Sequence, residues 1–159
     1  MYRVSLLMVA LLTGCDVHAL ADAATAGPWV LAELYTLRVD GTGAIVTDET
    51  RTGCGRLEMV DSTPEDASIG ERMGWGILET PRQLAVDGGF VWVCWDDAFQ
   101  WKIDDVDDME VTDDVFYLGV SDVMIPSWSD SELVWRWEGA EGVDQLVYSL
   151  TQQWTWVRE

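Results

Sequence analysis

The sequence has one histidine and one lysine in 159 residues, and this scarcity removes several kinds of chemistry. The histidine, His18, stands close to the N-terminus, in a segment that we expect to lie outside the folded domain. Ser-His-Asp catalysis, Cys-His catalysis and the usual zinc sites are therefore not expected. Paired carboxylates of the glycosidase type carry no information, because 29 acidic residues place some pair close together in any fold. We expect a protein that is not an enzyme and has no organic cofactor.

Positive charge is scarce as well. Nine lysines and arginines stand against 29 acidic residues, so the formal net charge is −20. Binding to nucleic acid needs basic side chains that displace counterions from phosphate, so we expect no nucleic-acid partner. Direct binding to anionic lipid headgroups is disfavoured for the same reason. Hydrophobic residues nevertheless make up 48% of the chain, which excludes a disordered acidic tail.

A long hydrophobic run is also missing. The longest, Val4–Leu12, is interrupted only by Ser5 and is too short to span a bilayer, which needs roughly 20 residues. It follows Arg3 at the N-terminus, which is the arrangement of a secretory signal peptide.

The end of this segment, Leu12-Thr13-Gly14-Cys15, resembles the lipobox of bacterial lipoprotein signal peptides. The resemblance implies that residues 1–14 are removed and that Cys15 becomes an acylated N-terminus, with palmitate-type chains that anchor the protein in a membrane of the cell envelope. Whether this is the inner or the outer membrane stays open. The alternative is an ordinary signal peptide cut further along, which would discard Cys15.

Two cysteines remain, Cys54 and Cys94. An even pair in an oxidising compartment predicts a disulfide, and two buried free thiols are the alternative.

The chain after Cys15 is predicted to consist of a tether over residues 15–27 and a single all-β domain over residues 28–159. The tether is rich in alanine, whereas short apolar runs and turn residues alternate from Pro28 onward. We expect eight to ten strands, among them 29–39 and 69–78, a hairpin at Asp87-Gly88-Gly89 and a turn at Asp96-Asp97. No window keeps a helical period over 10–12 residues.

An antiparallel meander that closes, or nearly closes, into a barrel is the architecture we expect, with a β-sandwich as the alternative. The spacing of Cys54, Trp75 and Cys94 does not fit an immunoglobulin sandwich. Gly27-Pro28-Trp29 is similar to the opening strand of lipocalins, and the general layout looks like that of bacterial lipocalin-like lipoproteins. This resemblance implies a ligand site for a small apolar molecule at the barrel mouth.

The run 104–114 contains seven acidic residues in eleven. Hard divalent cations prefer carboxylate oxygens, so Asp104, Asp105, Asp107 and Asp108 form a candidate weak Ca²⁺ site. The alternative is a solvated loop, because the EF-hand spacing is absent.

Ten tryptophans are the unusual feature of the composition. Alternation predicts that Trp75, Trp135, Trp137, Trp154 and Trp156 face inward. Trp92, Trp95 and Trp128 are candidate ligand-contacting aromatics, because an outward tryptophan beside acidic residues can stack on a sugar ring or contact a partner.

These observations predict a membrane-anchored, non-catalytic envelope lipoprotein with a lipocalin-like domain. It would bind a small apolar ligand or act as a scaffold. The alternative is a carbohydrate-binding β-sandwich that uses exposed tryptophan and is stabilised by Ca²⁺.

Overall fold

The computed structural model describes residues 16–113, 119–143 and 145–159. These residues contain one short helix, α1, over residues 16–25, and nine strands. The expectation of an all-β antiparallel meander is therefore confirmed. The strands are β1 (Trp29–Val39), β2 (Ile45–Arg51), β3 (Arg56–Asp61), β4 (Arg72–Val86), β5 (Gly89–Ile103), β6 (Asp108–Asp113), β7 (Gly119–Trp128), β8 (Glu132–Val143) and β9 (Leu146–Arg158).

Hydrogen bonds join the sheet into a ring. From β3 to β9 each strand pairs with the next, and β9 pairs back along the whole of β1. The other edge of β1 is shared, because β3 pairs with it at Trp29 and Val30, whereas β2 pairs with residues 34–39. A single closed sheet thus forms the domain in place of the alternative two-sheet sandwich. The ring is not evenly barrel-shaped, because two strands divide one edge of β1 between them.

Helix α1 packs against one end of the ring, which we call the α1 end. Trp29 Nε1 donates a hydrogen bond to the carbonyl of Ala24 at 2.9 Å. Arg158 donates to the carbonyls of Ala23 at 2.6 Å and Gly27 at 2.8 Å, and its guanidinium lies 3.6 Å from the centre of the Trp29 ring. The first strand, the last strand and the helix are therefore tied together at this end.

The helix corrects the expectation of an extended tether over residues 15–27. Its buried residues, Val17, Leu20, Ala21 and Ala24, repeat at the spacing of one helical face and join the hydrophobic core. Alanine favours helix, and this stripe gives the helix a surface to bury. Among the described residues, no helix is long and apolar enough to cross a membrane.

A cluster of polar side chains links the polar side of α1 to strands β3 and β4. Arg72, at the start of β4, donates to Asp61 on β3 and to Asp22 on α1, the latter at 3.0 Å. His18 contacts Arg72 through Nδ1 at 3.3 Å and the carbonyl of Ile69 through Nε2 at 2.6 Å. Partial burial raises the pKa of Asp61, but hydrogen bonds from Thr63 and Arg72 outweigh it and hold that pKa below its usual value. The one histidine is thus part of the folded domain, contrary to expectation.

Side chains, not backbone hydrogen bonds, connect β2 to the long β4–β5 hairpin. Trp92 Nε1 donates to Glu49 at 3.0 Å, and Arg51 stacks over the Trp92 ring at 4.7 Å. Directly after β2, Cys54 forms a disulfide with Cys94 of β5, with the Cα atoms 6.1 Å apart. The predicted disulfide therefore fixes β2 against this hairpin.

Two inward-facing positions near the start of β4 are glycines, and this corrects the predicted position of Trp75. An added Cβ would stand 2.6 Å from the Phe99 ring at Gly76 and 2.8 Å from the Trp101 ring at Gly74. The glycine face therefore points inward against two large aromatics, whereas Trp75 and Ile77 face solvent and are 46% and 48% exposed. Alternation correctly separated the two faces of β4 but assigned the wrong one to the core.

One further expectation on the strands is wrong, and the acidic run is partly a strand instead of a loop throughout. Asp96-Asp97 is not a turn, since both residues lie within β5 and pair with β4. Part of the acidic run, Asp108–Asp113, forms β6, because Met109 and Val111 alternate with acidic residues and point into the core.

Substituting Gly74 with alanine tests the close packing of the inner wall. The new methyl group would stand 1.9 Å from the carbonyl oxygen of Val60, so we expect Gly74→Ala to lower the free energy of unfolding by about 1–3 kcal/mol. Gly70→Ala is the matched control, because nothing lies within 4 Å of an added Cβ there. Urea denaturation measures both variants, and equal losses of stability would contradict this packing.

Candidate functional site

The interior of the ring changes from apolar to polar along its axis. The half nearer α1 holds fully buried tryptophans from four strands. Beyond them, toward the turns between β1 and β2, β4 and β5, and β8 and β9, most of the buried side chains are polar. We call this second end of the ring the tip end. The fully buried tryptophans are Trp29, Trp101, Trp135, Trp154 and Trp156.

Arg38 is the centre of the polar half. It occupies an inward position on β1 and is 1% exposed. Its Nε and Nη2 atoms each lie 2.9 Å from one carboxylate oxygen of Glu141 on β8. Its Nη1 donates to Thr47 of β2 at 3.3 Å and to the amide oxygen of Gln83 on β4. One guanidinium therefore joins four strands through charge-assisted hydrogen bonds.

Aromatic side chains cover Arg38 on the side of the tips. The guanidinium carbon lies 4.1 Å from the centre of the Phe90 ring, and Tyr148 contacts Phe90 edge to face at 6.1 Å. Phe90 and Tyr148 also line a small cavity of about 110 Å³ between the β4–β5 and β8–β9 tips, together with Leu146. A second cavity, of about 320 Å³, shares Leu146 and Tyr148 and reaches Val46 of β2. The two cavities make the tip end concave.

The tips themselves carry exposed apolar side chains, which we call the tip surface. They come from all three turns, and Val46, Leu146 and Val147 among them line the cavities. The described residues of these turns, 39–48, 84–91, 143 and 145–148, contain no lysine, arginine or histidine, whereas Asp48 and Asp87 are exposed among them. The tip surface is therefore apolar with an acidic border. It comprises Ile45, Val46, Val86, Leu146 and Val147.

The three predicted ligand-contacting tryptophans do not form one site. Trp92 is partly buried against the core and faces β2. Trp95 is 38% exposed, and the Arg82 guanidinium lies 5.0 Å from its ring centre. Trp128 ends β7 and packs against the core. Each of the three tryptophans packs against a different part of the fold, so they share no binding surface. Their contact with a ligand stays a prediction.

The candidate Ca²⁺ residues lie around the turn between β5 and β6. Within the described ranges, one group of three potential ligand atoms converges, and it consists of Cys54, Glu79 and Cys94, whose sulfurs form the disulfide. Burial raises the pKa of Asp108, and repulsion from Asp105 and other nearby carboxylates raises it further. The turn thus concentrates negative charge, and the Ca²⁺ site stays a prediction.

Sequence reasoning did not single out Arg38, Glu141 or the tip surface. A signal was present, because Arg38 has the same strand parity as Leu34 and Thr36, and so occupies an inward position. Its partner Glu141 is 103 residues away and carries no local signal. The lipidation site predicted at Cys15 lies outside the described residues.

The chain matches no protein-family model, no curated protein and no solved structure.

Removing the partner of Arg38 should be strongly destabilising. Glu141→Ala leaves a buried guanidinium without its counter-charge, and we expect a loss of about 3–5 kcal/mol of unfolding free energy. The double variant Arg38→Met/Glu141→Leu removes both charges and should recover most of that loss. Urea denaturation of the two variants measures the difference. A double variant no more stable than Glu141→Ala would contradict the role of the ion pair.

Asp108→Asn should stabilise the protein at neutral pH. A carboxyl whose pKa is raised in the folded state costs stability when it is ionised, and the cost disappears as the pH falls through that pKa. We expect a gain of less than about 1 kcal/mol at pH 7, smaller in high salt and absent near pH 3. Thermal melts across pH and salt measure it. Asp66→Asn, an exposed acid outside this turn, is the control, and a gain that persists at pH 3 would contradict the assignment.

Proposed function

We propose that this protein is a lipid-anchored, non-catalytic protein of the bacterial cell envelope that docks another protein on its tip surface. The single observation that carries the proposal is the packing of α1 against the opposite end of the ring. The lipobox-like segment ends at Cys15, and Val17, two residues further on, is already part of the hydrophobic core. An acyl chain on Cys15 would therefore place the α1 end at the membrane and the tip end away from it.

The packed helix distinguishes this arrangement from a domain on a flexible tether. Val17 and Leu20 are buried within the first turns, so little free chain remains between Cys15 and the ring. A short, ordered connection limits how far the body can rotate relative to its anchor. The tip surface would then point consistently into the extracytoplasmic space.

The filled interior favours docking over transport of a small apolar molecule. Five fully buried tryptophans occupy the ring where a lipocalin-like carrier would hold its ligand. Five of the eleven exposed large apolar side chains of the described residues lie at the tips, and patches of this kind commonly mark interaction sites.

The acidic border indicates the chemistry of the partner. Asp48 and Asp87 beside the apolar tips disfavour anionic lipid, and a net charge of −20 disfavours a second copy of the chain. The partner that fits is a protein segment with apolar side chains flanked by basic residues.

Site-specific photo-crosslinking in native membranes tests this orientation. We expect a crosslinker at Ile69, at the α1 end, to capture lipid, whereas one at Val147 captures a protein. Cys15→Ser should release the protein from the membrane fraction and abolish the lipid crosslink, because the acyl chains are the anchor.

The matched control is Cys54→Ser/Cys94→Ser, which removes two cysteines but should leave the protein in the membrane fraction. Leu146→Asp should remove the protein crosslink at Val147. A Cys15→Ser protein that stays membrane-bound, or lipid captured equally at both positions, would refute the proposal.

A further inference from the structure

Trp75 is a large aromatic side chain on the outer wall of the ring. It is 46% exposed and lies on β4, between Gly74 and Gly76, which face the opposite way. Among the described residues, its indole Nε1 makes no hydrogen bond. The packing of Phe99 and Trp101 against the glycines explains why Trp75 faces outward, but it does not explain why the outward residue is a tryptophan.

Two grooves flank Trp75. One, of about 410 Å³, is lined by Ala98, Phe99, Gln100 and Thr112, and the other, of about 270 Å³, lies toward Ser62 and Met73. Gln100 borders both grooves, because it is the cross-strand partner of Trp75 on β5. An exposed indole and an exposed amide therefore stand side by side with a depression on each side.

Among the residues whose side chains the structure describes, none that lines either groove is charged, although 24% of the chain is charged. The polar groups that line them are the amide of Gln100 and the hydroxyls of Thr112 and Ser62. An amide and a hydroxyl can each both donate and accept hydrogen bonds. The surface suits a neutral ligand that has an apolar face and a rim of hydroxyl groups.

We propose that Trp75 and Gln100 form a binding platform for the pyranose rings of a neutral glycan. The C–H face of a pyranose stacks on the indole, and its equatorial hydroxyls reach Gln100, Thr112 and Ser62. An acidic glycan is excluded, because the protein carries a net charge of −20. The platform lies on the side of the ring, so it is independent of the tip surface and of the membrane anchor.

The test is isothermal titration of the folded protein with three soluble neutral hexasaccharides, cellohexaose, maltohexaose and hexa-N-acetylchitohexaose. Polygalacturonate serves as the anionic comparison. We expect at least one neutral hexasaccharide to bind and polygalacturonate not to bind. Trp75→Ala should weaken binding at least about tenfold, which is the effect of losing roughly 1.4 kcal/mol. Trp75→Tyr, which keeps an aromatic face, should retain most of it.

Trp95→Ala is the matched control, because Trp95 is an exposed tryptophan on the same hairpin but is stacked by Arg82. It should leave the affinity unchanged. Gln100→Ala should weaken binding several-fold with an unchanged circular-dichroism spectrum. Failure of all three neutral hexasaccharides to bind, or equal losses in Trp75→Ala and Trp95→Ala, would overturn the proposal. Neither result bears on the lipid anchor or on docking at the tips.

Discussion

Five tryptophan side chains fill the half of the ring that adjoins α1, and the rest of the molecule accommodates their volume. Protein interiors are packed as densely as organic crystals, so side chains of this size leave little space inside a small ring. The wall of the ring provides the space instead. At Gly74 and Gly76 of β4, the aromatic rings of Trp101 and Phe99 occupy the space that a side chain on β4 would fill. The described side chains therefore leave little interior space at that end, which favours binding on the outside of the ring or at its tips.

The other half of the ring depends on a different interaction, the buried pair of Arg38 and Glu141. A buried ion pair contributes little net stability over an apolar alternative, but its geometry is demanding because each charge needs its partners. Here those partners belong to four strands, including β2, which has backbone pairing with β1 alone. The pair and the Cys54–Cys94 disulfide therefore hold β2 in place, and β2 carries part of the tip surface.

Most of the fold could be predicted from local periodicity. The bounds of β1 and the alternating faces of β4 follow from residue spacing alone. The pairing of Cys54 with Cys94 follows from the number of cysteines that remain after Cys15. The errors arose where composition was given more weight than spacing. In the acidic run, the alternation of Met109 and Val111 was given too little weight, so a strand was missed. In the alanine-rich residues 16–27, the apolar stripe of a helix was missed in the same way. The inward face of β4 was beyond prediction, because the size of its opposing residues on β5 decides it and that pairing is not local.

Acidic residues outnumber basic ones 29 to 9 in this protein, which gives it a net charge of −20. Dense negative charge keeps copies of the chain apart, so exposed apolar residues can be tolerated without self-association. Exposing such residues to water still costs free energy. The acidic surface around them gives no structural reason for their presence. Two concave parts of the described surface are lined mainly by uncharged side chains: the tips around Leu146, where Asp40 also contributes to the lining, and the wall around Trp75. A concave surface with a mainly uncharged lining favours contacts with other molecules. The exposed Asp48 and Asp87 beside the tips are the basis for proposing a basic protein segment as the partner there.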